Sequence, residues 1–345
     1  MPAKYVKPSR VKRYIQRYRR NAPSIVVDTV DFLSRFPPNF RLKYPYSNGL
    51  GYQPFFIMGC GRSGNTLLRK LLMERAHVAI PPEFPGLGST IRRFSQEGGR
   101  GWPEIVESVL SIFHRLADID VETVDASNNT LIYNLANEIG LSFESLSHEL
   151  NTCGENDRSL ARIISSIYEA YSIKVFGGVR PWGDKTPWNV FHYQRIRKVF
   201  PEARYVHMLR DGRDCVSSYV DSLRGLMNID CVDAAYRWRD SVRRMNTVKR
   251  ENPSRFLEVR YEDLVSNPDK IVFGVIKFLG LDAIKHSDVH TDMLGDGAAV
   301  HHKNLSRPVS NKSVGRWRKD LTEVDKITVL KLISNDLERF GYPVC

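Results

Sequence analysis

The chain has 345 residues, of which 42% are apolar and 26% charged, an ordinary globular composition with ample material for a core. No window supplies the ~20 consecutive apolar residues of a membrane span, and Asp28 and Asp31 interrupt the stretch APSIVVDTVDFL where a signal peptide would need an apolar core. Five scattered cysteines (Cys60, Cys153, Cys215, Cys231, Cys345) form neither a C-x-x-C pair nor an even framework, which argues against a disulfide or zinc scaffold and for a reducing, cytosolic setting.

The formal net charge of +12 is concentrated at the start, where MPAKYVKPSRVKRYIQRYRR carries eight Lys or Arg and no acid. This arm reads either as a solvated terminus or as a contact for an anionic surface or polyanion. A lead-in helix over SIVVDTVDFLSRF and a Pro/Gly/Tyr-rich loop complete a first segment of about 1–50. Next come FFIMG, a short strand buried on both faces, and NTLLRKLLME, a helix by its apolar spacing. A mostly helical insertion of about 86–172 follows, including WPEIVESVLSIFHRLAD, TLIYNLANEI and SLARIISSIYEAYS, each with three-to-four-residue apolar spacing. ARYVHMLR is a second buried strand, DGRDCVSSYVDSLRG a turn and helix, FLEVRYEDLV a third strand running into a loop, and PDKIVFGVIKFLG a helix opening on proline. Strands alternating with helices predict an α/β fold over 51–345, a P-loop-like central parallel sheet with helices on both faces. Ligands of such sheets sit at the carboxyl ends of the strands. Arg62, Arg210 and Tyr261 each lie just past one.

The stretch FFIMGCGRSGNT carries a phosphate-loop spacing with a substitution. Gly59 and Gly64 keep the glycine spacing of G-x-x-x-x-G-K-S/T and Thr66 keeps the hydroxyl, but Asn65 stands where the lysine belongs. Gly59, Gly61 and Gly64 let backbone amides approach an anion at the positive end of the next helix. That dipole contributes only ~0.3–1 kcal/mol per exposed charge, so a multiply charged ligand needs cationic side chains too. Arg62 supplies a guanidinium fork. Losing the lysine removes the group that reaches the β- and γ-phosphates, which argues against ATP or GTP hydrolysis.

A second element, YVHMLRDGRDCVSSYVDS, places Arg210 at a strand end and Ser218 about two turns into the following helix, a pair suited to a separate phosphate. Together, IMGCGRSGNTLLRKLL and LRDGRDCVSSYV resemble the sulfotransferase family that uses 3′-phosphoadenylyl sulfate (PAPS). The resemblance runs from about residue 55 to 342, including VRYEDLVSNP and VGRWRKDLT, and is nearest in layout to the branch with tyrosylprotein sulfotransferases and many bacterial enzymes. It implies that Gly61, Arg62, Ser63, Gly64, Asn65 and Thr66 hold the 5′-phosphosulfate, and that Arg210 and Ser218 hold the 3′-phosphate. It further implies that Tyr261 and Arg307 pack around the nucleotide, that Glu83 in HVAIPPEFPGL is the general base, and that Lys185 in GDKTPW stabilises charge on the departing bridging oxygen of PAP.

The sequence departs from that branch where a catalytic serine is expected in the cofactor-closing loop. GAAVHHKNLSRPVS offers His301, His302, Lys303 and Ser306 there instead. Two adjacent histidines with no third ligand at useful spacing make no metal site. The acceptor carries a hydroxyl, and the basic arm favours an acidic glycan or an acceptor at a membrane surface; sugar, peptidyl tyrosine, lipid and phenol all stay open, as does oligomeric state. Two rivals are a nucleotide-dependent kinase on the same loop and a non-catalytic polyanion or nucleic-acid binder built around the arm, with Tyr5, Tyr14 and Tyr18 between its cations.

Overall fold

The computed structural model describes residues 43–45, 52–84, 86–114, 143–222, 229–284 and 308–344. The basic arm, the lead-in helix and TLIYNLANEI lie outside these residues. A sheet of four parallel strands orders the rest: β1 (Phe55–Gly59), β2 (Gly183–Lys185), β3 (Arg204–Leu209) and β4 (Phe256–Arg260) stand in the spatial order β2-β1-β3-β4. β1 pairs with both neighbours, so Ile57 stands opposite Lys185 on one side and Val206 on the other.

The apolar run of β1 is explained by the two faces it must fill, since successive side chains of a strand point to opposite sides. Phe55 and Ile57 pack with Leu68, Leu71 and Leu72 of α1 (Asn65–Arg75). Phe56 and Met58 face the opposite cluster, with Trp182 and the helical insertion. That insertion comprises, among the described residues, α2 (Leu87–Phe94), α3 (Trp102–His114), α4 (Phe143–Thr152) and α5 (Leu160–Phe176). After β2 the chain makes a 3-10 turn over Pro187–His192 and a short helix, α6 (Tyr193–Val199). α7 (Gly212–Ser222) leaves the end of β3, and α8 (Cys231–Glu251) packs along it. Beyond β4 the chain enters α9 (Tyr261–Ser266) directly, where the sequence predicts a loop, and continues into α10 (Pro268–Leu279), which starts at proline as predicted. α11 (Trp317–Asp320) and α12 (Glu323–Arg339) close the described chain. No helix among the described residues is long and apolar enough to cross a membrane.

Two features fix the carboxyl edge of the sheet. In β2, Asp184 is buried and accepts hydrogen bonds from Tyr168 Oη at 2.5 Å and Asn189 Nδ2 at 2.7 Å, anchoring the strand to α5 and to the following turn. Burial pushes its carboxyl up to about 6, against the opposing pull of those hydrogen bonds and the Lys185 charge. At the start of the loop after β1, Gly61 passes so close to α7 that a methyl group there would lie 2.1 Å from the Tyr219 hydroxyl.

Because the folded-state value of Asp184 lies above its unfolded value, its contribution to stability is full below about pH 4 and is lost as pH rises through about 6. Asp184→Asn cannot titrate, so the stability gap between wild type and variant, measured by urea unfolding, should change in the wild type's disfavour from pH 4 to pH 6.5; a constant gap refutes this. Gly61→Ala should destabilise the fold by about 1–3 kcal/mol through overpacking. In a double-mutant cycle with Tyr219→Ala the combined loss should be smaller than the sum, and strict additivity would show that the two residues do not clash.

Candidate active site

The loop from Cys60 to Gly64 is held in an unfavourable shape by its neighbours. Arg62 sits at φ 66, the left-handed region that a side chain occupies at a cost of about 1–2 kcal/mol. Two long-range contacts hold it there. Its Nε donates to Ser218 Oγ on α7 at 3.1 Å, and its carbonyl accepts from Arg210 Nη1 at 2.9 Å. Burial pushes the Arg62 guanidinium below its ordinary value, and the nearby Arg210 charge adds to this, while Tyr219, Glu83 and Cys215 pull the other way. Two guanidinium groups this close suit an anion lying between them, with Asp214, 3.9 Å from Arg210 Nη2, offsetting part of their charge.

Gly64, at φ 92, starts α1 without a side-chain cap, and the first turn contains no acid. The helix therefore presents backbone N–H groups and its positive end to the crevice. A methyl group on Gly64 would come within 2.5 Å of the Tyr261 ring, so the glycine also lets that ring approach the loop. Asn65, in the lysine position of the motif, donates from Nδ2 to the Cys60 carbonyl at 2.9 Å and staples the loop to itself. Ser63 Oγ lies 3.4 Å from Cys215 Sγ.

The missing ammonium comes from the neighbouring strand. Lys185, at the end of β2, donates from Nζ to Thr66 Oγ1 at 3.2 Å and to Glu83 Oε1 at 2.7 Å. Its side chain is fully buried, whereas that of Glu83 is 32% exposed at the edge of the crevice. Glu83 is aimed by its chain neighbours: Pro81 and Pro82 are buried before it, and the Phe84 amide after it donates to Thr186 Oγ1 at 3.0 Å. The base candidate, the buried ammonium and the helix-start hydroxyl thus form one linked group.

At the end of β3, Arg210 stacks with Cζ 4.3 Å from the centroid of the Tyr261 ring and donates from Nη2 to the Ser313 carbonyl at 2.5 Å. Its carbonyl accepts from Trp238 Nε1 at 2.9 Å, while its buried Nε has no hydrogen-bond partner. Arg62, Ser218, Arg210 and Tyr261 are therefore neighbours, and Thr66, Lys185 and Glu83 meet at the same loop. Arg307 lies outside the described residues, as do His301, His302, Lys303 and Ser306.

Some of the site carries no clear signal in the sequence. β2 is only three residues long, too short for alternation to reveal it, yet it delivers Lys185. Asp214 of α7 accepts from the Gly315 and Trp317 amides at 2.8 and 3.0 Å, tying the VGRW turn to the site. An acid between two arginines in RDGRDC is a weak hint of this anchoring role. The crevice gathers three cations and an open helix start, with Glu83 at its margin and Asp214 behind Arg210, a set suited to an anionic ligand beside a group that must lose a proton.

A family model described as Sulfotransferase family matches residues 54–285, from just before β1 to just beyond α10. Among known proteins, the chain is 26% identical over 172 residues to protein-tyrosine sulfotransferase 1 of Danio rerio, covering 46% of this chain and 47% of that protein. It is 26% identical over 309 residues to nodulation protein NoeE of Sinorhizobium fredii, covering 82% of this chain and 64% of that protein. It thus spans about half the length of the tyrosine-directed relative. The solved sulfotransferase domain of the Synechococcus PCC 7002 olefin synthase superposes with a TM-score of 0.55 at 21% identity, over 88% of this chain and 100% of that domain, a likeness of fold. With the matched model covering most of the chain, including the loop and the Arg210–Ser218 element, this protein belongs to the sulfotransferase family.

Proposed function

We propose that the crevice binds PAPS and that the protein transfers its sulfuryl group to a hydroxyl acceptor. The observation that carries this reading is the convergence of two anion-binding elements, with Arg210 donating to the Arg62 carbonyl and Arg62 to Ser218. A nucleotide with charged groups on both the 3′ and 5′ positions of one ribose suits two cationic elements that meet at one crevice better than a linear triphosphate does. The orphaned Nε of Arg210 and the uncapped start of α1 are donors such a ligand would satisfy. Gly61 to Thr66 would hold the 5′ end, Arg210 and Ser218 the 3′-phosphate, and Tyr261 and Arg307 the nucleotide's flanks.

When bound, PAPS supplies an electrophilic sulfur and a phosphate leaving group. Glu83, exposed at the crevice edge, accepts the proton of the acceptor hydroxyl. Lys185, already bridging Glu83 and Thr66, neutralises charge gained by the departing oxygen, with Arg62 and the helix-start amides beside it. Alignment and electrostatics carry the acceleration, and burial of Lys185 strengthens its share. The acceptor is a glycan or another alcohol or phenol; peptidyl tyrosine belongs in the same set, on the name of the Danio rerio relative. The free cysteines among the described residues, Cys60, Cys153, Cys215 and Cys231, fit a reducing, cytoplasmic setting. The arm over residues 1–20 supplies contact with an anionic surface or acceptor.

One observation serves the kinase reading: Lys185 returns an ammonium to the loop. Against it, the neighbouring Asp184 is engaged with Tyr168 and Asn189 and is buried, so it offers no carboxylate to a magnesium ion. Calorimetry with PAP and with ATP·Mg²⁺ separates the two, tighter ATP binding refuting the sulfuryl-transfer reading.

Glu83→Gln keeps a neutral acceptor for Lys185 and should lower PAPS-dependent sulfation by about 10²–10⁴-fold while PAP affinity changes little. Retained turnover removes Glu83 from the base role. Arg210→Ala should weaken PAP by about tenfold or more beyond its effect on AMP, which lacks the 3′-phosphate. Equal losses for both nucleotides place the 3′-phosphate elsewhere.

A further inference from the structure

A second cleft opens beside the first residues of the loop. The Gly59–Gly61 backbone forms one side, Trp188 and Phe191 of the turn after β2 another, and Tyr219, Arg237 and Ser241 of α7 and α8 the rest. It is a shallow, open cleft, and its space of about 180 Å³ includes the solvent at its mouth. Its chemistry is unlike that of the crevice. Arg237 lies with Cζ 4.9 Å from the Trp188 ring centroid, and Trp188 and Phe191 sit 5.9 Å apart at 34°.

The basic residues around Arg237 on α8 are satisfied. Arg239 pairs with Asp240 at 3.2 Å and Arg243 with Asp336 at 2.8 Å. Arg237 forms no ion pair among the described residues, and its Nε is buried without a hydrogen-bond partner. One helical turn on, and so on the same face of α8, Ser241 is 1% exposed and its hydroxyl is likewise without a partner. A half-buried guanidinium with an unpaired Nε and a buried, unpaired hydroxyl line one cleft and leave two donors there without an acceptor among the described residues.

We infer that this cleft is the acceptor subsite and that the acceptor is a ring compound carrying an anionic substituent. Arg237 and Ser241 take the anion, and the Trp188–Phe191 wall takes the ring. A guanidinium over an aromatic ring can still offer N–H groups to a carboxylate, sulfate or phosphate. The cleft shares Gly61 with the loop, and its Trp188 wall follows Lys185 by three residues along the chain. A ring seated there turns a remaining hydroxyl toward the loop. This inference rests on the sulfuryl-transfer reading above and narrows its acceptor to an anionic ring, aromatic or saccharide.

The test uses the full chain saturated with PAP and two matched pairs of probes, 4-hydroxybenzoate with 4-hydroxybenzamide and glucuronate with glucuronamide, titrated by calorimetry. The carboxylate of at least one pair should bind about tenfold or more tighter than its amide, as expected for a charge-assisted contact. Arg237→Gln should abolish that preference while amide and PAP affinities stay within about twofold, and Arg237→Lys should restore part of it. Ser241→Ala should reduce the preference by a smaller factor, and it carries the test should Arg237→Gln fail to fold. Equal affinities within both pairs, or a preference that survives the substitutions, overturns the inference. Which pair responds tells an aromatic from a saccharide ring. Turnover of the same probes with PAPS is read separately: an Arg237-dependent carboxylate preference without sulfate transfer would refute the proposed function and leave the anion subsite standing.

Discussion

A buried ammonium at the end of a three-residue strand is the constraint on which the site depends. Lys185 is held between Glu83 and Thr66, and taking its charge out of water would cost several kcal/mol were those partners absent. The strand that carries it is correspondingly well anchored, through Asp184 to Tyr168 and Asn189 and through its pairing with β1. The effect is to return to the loop, from outside its own sequence, the cation its motif lacks. Asn65 then serves a different purpose, closing the loop on the Cys60 carbonyl. An ammonium delivered from a separate strand also arrives with a carboxylate attached, which a lysine within the loop would not bring.

The opposite side of the crevice depends on a different kind of balance. Arg62 occupies a backbone conformation that favours glycine, and the contacts to Ser218 and Arg210 hold it there. Strain of this kind persists where the surroundings over-determine it, which places the guanidinium before any ligand arrives. Stacking of Arg210 on Tyr261 fixes the second cation in the same way. Both arginines are thus oriented in advance, and little conformational freedom is left for a ligand to remove.

How far the sequence reveals this differs by element. FFIMG is legible because a strand buried on both faces must be apolar throughout, and Phe55 to Met58 alternate between two cores as that requires. The glycine spacing reveals the loop because close approach leaves no room for a Cβ, as Gly61 and Gly64 show against Tyr219 and Tyr261. Arg210 and Ser218 are legible as a pair because strand end and helix face are both local properties. By contrast, GDK shows no periodicity at three residues, and Lys185 is found through family resemblance alone. Tyr261 begins a helix instead of a loop, since YEDLVS is followed by a proline that suggests a break where α10 in fact starts. Arg237 and Ser241 belong to an ordinary amphipathic helix, and what distinguishes them is a buried polar atom on each without a hydrogen-bond partner among the described residues.

α7 touches more of the site than any single motif implies. Ser218 binds the loop, Ser217 binds Asp320, and Asp214 takes the amides of Gly315 and Trp317. The C-terminal segment is in turn fastened to α8 through Asp336 and Arg243. One helix is thus a common anchor for two distant stretches of chain. Substitutions in the C-terminal segment therefore bear on the crevice as well, because the same helix carries the contacts of both.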